Sequence, residues 1–265
     1  MKVLAIIGSP RKKGNTYHVV GQIRENMLRA DPDIDFEYLF LRDSNLQMCT
    51  GCFVCIARGE DSCPLKDDRD LIRAKLSEAD GLIFAAPGYA MGVPGLMKNF
   101  IDRFAYTCHR PCFFDKTILA VTTIGAARGM KQTLSQLAVL AGGGRVMKLG
   151  VTMPPIPMTG AARAKRKIDK ASAAFYDALK EQKKRLPAIE DWGWFYAFKT
   201  FCSVEAYQKA CPADIAYYKD KAEYFYPLRG HYARRLLGKA FKGIFKLSIG
   251  LMVERPPLGR PFRRL

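Results

Sequence analysis

The chain is poor in acid, in histidine and in long apolar runs. No stretch approaches the ~18 apolar residues that a membrane-spanning helix needs, so no such helix is expected. Acids number 25 against 43 Lys and Arg, a formal charge of +18. That excess suits anionic partners (phosphates, nucleotides, acidic lipid, nucleic acid) without choosing among them. The three histidines, His18, His109 and His231, are scattered. No side chain stands out as a general acid, so no catalytic residue is assigned from sequence. No internal repeat is present, which excludes a solenoid. No charged n-region or small-residue cleavage site precedes the first apolar segment, so the expected location is cytoplasmic. Eight cysteines in that setting point to redox or metal chemistry rather than disulfides.

What is present is a rhythm. Strand-like runs at 2–8, 35–41, 81–87, 117–124 and 145–152 alternate with helix-like runs at 16–30, 67–78, 94–105, 128–141 and 160–185. The run Gly-Leu-Ile-Phe-Ala-Ala-Pro over 81–87 is continuously apolar, as a central parallel strand buried on both faces should be. Five such units predict an α/β fold, a doubly wound five-stranded parallel sheet. With right-handed crossovers, the strand order 2-1-3-4-5 is the common solution at this size. The rhythm stops near Leu186-Pro187. Residues 187–265 hold 16 of the 30 aromatics and are expected to form a basic helical C-terminal extension to a domain over 1–186.

The first strand runs straight into Ser9-Pro-Arg-Lys-Lys-Gly-Asn-Thr16, and an amphipathic helix opens there. Free N–H groups, the positive end of a helix dipole and short hydroxyl side chains converge in such a loop to make a phosphate cradle. Arg11, Lys12 and Lys13 add positive charge. The loop has neither the GxxxxGK[ST] spacing nor GxGxxG. It resembles the GSPRxxGNT loop of flavodoxin-like FMN proteins, specifically the NADPH-dependent FMN reductase and iron–sulfur flavoprotein families.

Two further loops stand in register with that resemblance. Ala86-Pro87-Gly-Tyr-Ala-Met-Gly-Val-Pro-Gly95 follows the third strand, and Leu96-Met-Lys-Asn-Phe-Ile-Asp-Arg103 is similar to the family's LKxFIDR helix. Thr122-Thr-Ile-Gly-Ala-Ala-Arg-Gly129 follows the fourth. The resemblance covers residues 1 to about 150. It implies FMN with NAD(P)H as co-substrate, a small electron acceptor (quinone, nitro or azo compound) and a homodimer. Ser9, Arg11, Asn15 and Thr16 would hold the phosphate; Pro87, Tyr89, Met91 and Gly92 would border the ring; Gly125 and Ala126 would close the other side. Ala90 departs from the family, which often has an aromatic there.

Cys49-x2-Cys52-x2-Cys55-x7-Cys63 is the second sharp feature. Four thiols at short spacing could wrap a 4Fe–4S cluster, and the run resembles the compact motif of iron–sulfur flavoproteins with a long last gap. Packing or redox-active thiols without metal, or a structural zinc, remain open on spacing alone. With a cluster present, the chain would be an electron carrier with a protein partner. Asp67 is expected to cap the helix that follows.

From Tyr226 to Leu265, ten Lys and Arg stand against one acid, Glu254. Within this segment 234–253 is amphipathic. Arg235, Lys239, Lys242 and Lys246 lie on one face; Leu237, Phe241, Ile244, Phe245 and Met252 lie on the other. Such a helix packs its apolar face on protein or makes peripheral contact with an anionic membrane. Nucleic acid is not expected, because the aromatics form buried-type runs rather than a stacking platform.

Overall fold

The structure, a computed structural model, describes residues 1–153 and 159–228, together with positions 236, 240 and 243. The amphipathic segment 234–253 lies, but for those three positions, outside the described residues.

In chain order the elements are β1 (Lys2–Ile7), α1 (Asn15–Ala30), β2 (Asp35–Phe40), α2 (Val54–Ala57), α3 (Arg69–Glu78), β3 (Gly81–Pro87), α4 (Gly95–Arg103), α5 (Tyr106–His109), β4 (Thr117–Ile124), α6 (Met130–Ala138), β5 (Arg145–Thr152), α7 (Thr159–Glu181), α8 (Ile189–Phe201), α9 (Glu205–Ala210) and α10 (Pro212–Tyr218). The five strands form one sheet in the order β2-β1-β3-β4-β5, and every neighbouring pair is parallel. Both the fold class and the order are those read from the sequence.

The apolar runs explain the order. Every residue of β3 and of β4 is buried, whereas β2 and β5 keep partly exposed positions and occupy the edges. Side chains alternate across the sheet. Val3, Ala5, Ile7, Ile83 and Ala85 join one core cluster with Val19, Val20, Ile23 and Met27 of α1 and Ile168, Phe175 and Leu179 of α7. The intervening residues face the other layer, where Phe84 of β3 meets Phe100 of α4 with ring centroids 5.9 Å apart. Burying each such side chain contributes about 1.5–3 kcal/mol, so shifting any central strand by one residue would turn its apolar set the wrong way.

Helix boundaries differ from expectation where the backbone turns left-handed. The run at 128–141 yields only α6, because Gly129 at its N-terminus has φ 88°. The run at 160–185 stops at Glu181, where Gln182 takes φ 46°. The run at 94–105 yields α4, and the short α5 follows it.

The chain divides into two compact units. One holds Met1–Thr50 and Leu65–Arg185; the other holds Gly51–Pro64 and Leu186–Leu265. The sheet belongs to the first. In the second, Trp192, Phe195, Tyr196 and Phe198 of α8 pack with Tyr218, Tyr224 and Leu228. Tyr207 donates a 2.6 Å hydrogen bond to the fully buried carboxylate of Asp214. Burial and that carboxylate together push the Tyr207 phenol far above its usual range. The helix α10 packs against α2, so the loop carrying Cys55 is covered from within the same unit.

Candidate functional site: a cleft at the carboxyl edge of the sheet

The loops after β1, β3, β4 and β5 meet at the carboxyl ends of the strands. They enclose a cleft of about 390 Å3, including its open mouth, lined by Ser9, Arg11, Gly14, Asn15, Thr16, Pro87, Gly88, Tyr89, Thr123, Ile124, Gly125 and Met153. This is the point where the strand order reverses between β1 and β3, and ligands of doubly wound sheets bind there.

One end of the cleft is built for an anion. Gly14 precedes α1 with extended backbone, and no side chain caps the helix. The first N–H groups of α1 are therefore left without intrahelical partners, at the positive end of the dipole. Ser9 is buried, and its Oγ accepts the Arg11 N–H at 3.2 Å, which folds the loop back on itself. Two outer contacts brace the loop. Arg42 Nη1 donates to the Pro10 carbonyl at 2.6 Å, and Lys12 pairs with Asp43 at 2.7 Å. The hydrogen bond from Lys12 holds the Asp43 carboxyl below the usual carboxylate range. Thr16 Oγ1 and Thr123 Oγ1 lie 2.7 Å apart and tie the start of α1 to the end of β4.

The other end is a turn. Gly88 packs so closely on β4 that a Cβ there would lie 2.7 Å from Ile124 Cδ1. Beyond it Tyr89 and Gly92 pair as an isolated antiparallel bridge. Tyr89 reaches back across the cleft, and its hydroxyl accepts a 3.3 Å hydrogen bond from Arg11 Nη2.

Of the expected residues, Ser9, Arg11, Asn15, Thr16, Pro87, Tyr89 and Gly125 line one cleft. Met91, Gly92 and Ala126 are not among its lining residues. Gly14, Gly88, Thr123, Ile124 and Met153 line it without having been singled out. Thr123 and Ile124 end β4 and Met153 follows β5, so their position at carboxyl strand ends was the available signal. The uncapped start of α1 and the cleft beside it fit a phosphate-bearing cofactor such as FMN.

The cysteines are distributed differently. Cys49 lies in the sheet unit, where its N–H donates to Asn99 Oδ1 at 2.9 Å. Cys52, Cys55 and Cys63 lie in the other unit. All four are half-buried. Among the described residues no three His, Cys, Asp or Glu side chains converge on a metal-sized point. Asp67, expected as a helix cap, stands one residue before the N-cap Asp68 of α3. Its Oδ1 accepts the Arg69 N–H at 3.1 Å, and its carboxylate is paired with Arg103.

Fold and cleft together define a flavodoxin-like, flavin-dependent oxidoreductase. Comparison with known proteins narrows the class: the family profile described as NADPH-dependent FMN reductase matches residues 1–154. The chain belongs to that family. It is 32% identical over 226 residues to an iron–sulfur flavoprotein of Clostridioides difficile, covering 83% of this chain and 95% of that protein. It is 41% identical over 103 residues to an iron–sulfur flavoprotein of Methanocaldococcus jannaschii, covering 39% of this chain and 51% of that one. A solved flavone reductase superposes with a TM-score of 0.53 at 17% identity, covering 70% of this chain and 66% of that one; it shares the fold. Among the described residues no helix is long and apolar enough to cross a membrane.

Proposed function

We propose that this protein is an FMN-dependent NAD(P)H oxidoreductase that passes electrons to a small acceptor such as a quinone, nitro or azo compound. The observation that carries this reading is the single cleft in which an uncapped helix N-terminus faces Tyr89 across Arg11. FMN, when bound, supplies reversible acceptance of hydride.

The chain's own residues bind and orient. The first N–H groups of α1 and the Arg11 guanidinium neutralise the phosphate, a charge-assisted interaction stronger than a neutral hydrogen bond. Ser9 keeps the loop in its cradle shape, and Thr16 and Thr123 fix the helix start at the depth of the strand ends. Asn15 completes the phosphate end. Pro87 and Tyr89 border the ring, with Met91 and Gly92 on the same turn and Gly125 and Ala126 opposite. Arg11 or Arg128, the latter exposed in the loop after β4, would meet the phosphates of the nicotinamide nucleotide. A homodimer, in which a neighbouring subunit completes the pocket, belongs to the same reading.

A second reading rests on the cysteine spacing and on the names of the relatives. In it Cys49, Cys52, Cys55 and Cys63 carry a 4Fe–4S cluster and the chain is an electron carrier. Among the described residues no three such ligands converge, so a cluster would have to draw its thiols together.

The test is an absorbance spectrum of anaerobically purified protein before and after NADPH, with iron and acid-labile sulfide assayed on the same sample. Flavin bands that NADPH bleaches, without iron, are expected. A broad iron–sulfur band with about four irons per chain would favour the second reading. Colourless protein that takes up no added FMN would overturn both.

A further inference from the structure

The turn at the mouth of the cleft is strained and poorly buried. Tyr89 N–H donates to the Gly92 carbonyl at 2.8 Å, and Gly92 N–H returns a bond to Tyr89 at 2.9 Å. The two residues between them, Ala90 and Met91, have φ 45° and 69°. This is the left-handed pair of a two-residue hairpin turn, a conformation that favours Asn-Gly and that Ala and Met adopt only when their surroundings impose it. Burial does not impose it: Tyr89 is 38% exposed and Met91 41%.

What holds the turn is behind it. Gln136, on α6, accepts the Val93 N–H through Oε1 at 2.9 Å. It lies so close to Gly92 that a Cβ there would sit 2.9 Å from the same oxygen. Gln136 is itself exposed and is not among the residues lining the cleft.

We propose that Gln136 is a positioning residue: it braces the strained Ala90–Met91 turn from behind and so presets the cleft wall against which the flavin ring is placed. The proposal rests on the reading that the Tyr89 turn borders the ring. Without the brace, Val93 N–H turns to water and the turn relaxes out of its left-handed pair. Ring placement is then no longer prepaid, and affinity falls by the cost of re-forming the turn.

Gln136→Leu keeps the side-chain size and removes the acceptor; Gln136→Glu keeps an acceptor. Because Gln136 is exposed, neither change empties a core, and unfolding midpoints should match the parent. Three measurements decide: FMN dissociation constants by flavin fluorescence, flavin midpoint potentials, and amide hydrogen exchange at Val93 in the flavin-free protein. We expect Gln136→Leu to weaken FMN binding about three- to tenfold, the range of an ordinary net hydrogen bond. The same variant should shift the potential and speed Val93 exchange, with Gln136→Glu, which keeps the acceptor, restoring slow exchange. Unchanged affinity and unchanged Val93 exchange in Gln136→Leu overturn the brace. Faster Val93 exchange in a protein whose parent form takes up no FMN supports the brace and overturns the flavin reading instead.

Discussion

Arg103 and Asp67 form an ion pair in which neither side chain meets solvent, at 1% and 0% exposure. The pair is stitched into the chain around it. Arg103 Nη2 lies 2.9 Å from Asp67 Oδ1, and Nη1 donates to the Gln47 carbonyl at 2.7 Å. Asn99, one turn earlier on α4, donates to the Leu46 and Gln47 carbonyls at 3.1 Å each. The helix that follows the Tyr89 turn therefore also grips the root of the cysteine loop. Removing one partner of a buried pair leaves a charge without compensation, so Arg103→Leu should destabilise the sheet unit by about 3–5 kcal/mol, measured by urea unfolding.

The same pair sets an acid limit. Burial by itself would raise the Asp67 carboxyl, but the Arg103 hydrogen bond and the N–H groups of Arg69 and Gln47 outweigh it and hold the group below its ordinary value. A depressed carboxylate contributes stability above the unfolded value of about 3.9 and loses it as pH falls through the folded one. Urea midpoints followed into acid should fall through that window in the parent, and Asp67→Asn should flatten the fall while lowering stability at neutral pH.

The bond between Thr16 and Thr123 predicts a cost confined to one oxygen. Thr123→Val keeps the shape and leaves Thr16 Oγ1, in a residue 2% exposed, without its hydroxyl partner. Stability should drop by about 1–3 kcal/mol, and Thr123→Ser should recover most of it. Equal stability of the valine and serine variants would mean that the hydroxyl contact contributes nothing.

If Arg11 holds the phosphate, as proposed, its removal separates phosphate recognition from ring recognition. Arg11→Ala should weaken FMN binding by about 1.5–3 kcal/mol, the net worth of a hydrogen bond to a charged group. Riboflavin, which has no phosphate, should bind the variant nearly as well as the parent. Fluorescence titration with both ligands reads the difference, and an equal loss for both would place Arg11 at the ring instead.

The cysteines divide the two readings of function. Replacing Cys49, Cys52, Cys55 and Cys63 together by Ser should leave NAD(P)H oxidation with a quinone acceptor within about threefold of the parent, since the hydride chemistry resides in the flavin. An electron carrier dependent on those thiols would lose both its iron and its activity.

The sheet was legible because its signals are local. Val3 to Ile7 and Gly81 to Ala86 are apolar without alternation, and that alone makes them central. The loop at the start of α1 was legible for the same reason: strand, polar loop and helix start are contiguous from Lys2 to Thr16. Gln136 was not, because a surface glutamine in α6 gains its role only from Val93, 43 residues away. The role of Asp67 was hidden likewise, since a carboxylate before a helix looks like a cap until Arg103 arrives from α4. The second unit was legible as helical and aromatic but not in its divisions. Its helix α8 carries Trp194 and Ile189 outward while burying Trp192 and Phe195, so no single apolar face marks it.

The second unit is assembled from two stretches of chain, 51–64 and 186 onward, and this has a consequence in time. During synthesis the cysteine-bearing stretch leaves the ribosome before any of the sequence that forms α10, its cover. More than a hundred residues separate Pro64 from Leu186, which at ~5–20 residues per second is an interval of roughly 6–24 s. During it β3 to β5 emerge and can join β1 and β2 while Cys52, Cys55 and Cys63 wait for α10. Whatever those thiols are to meet, whether a metal, an oxidant or a chaperone, has its freest access in the nascent chain.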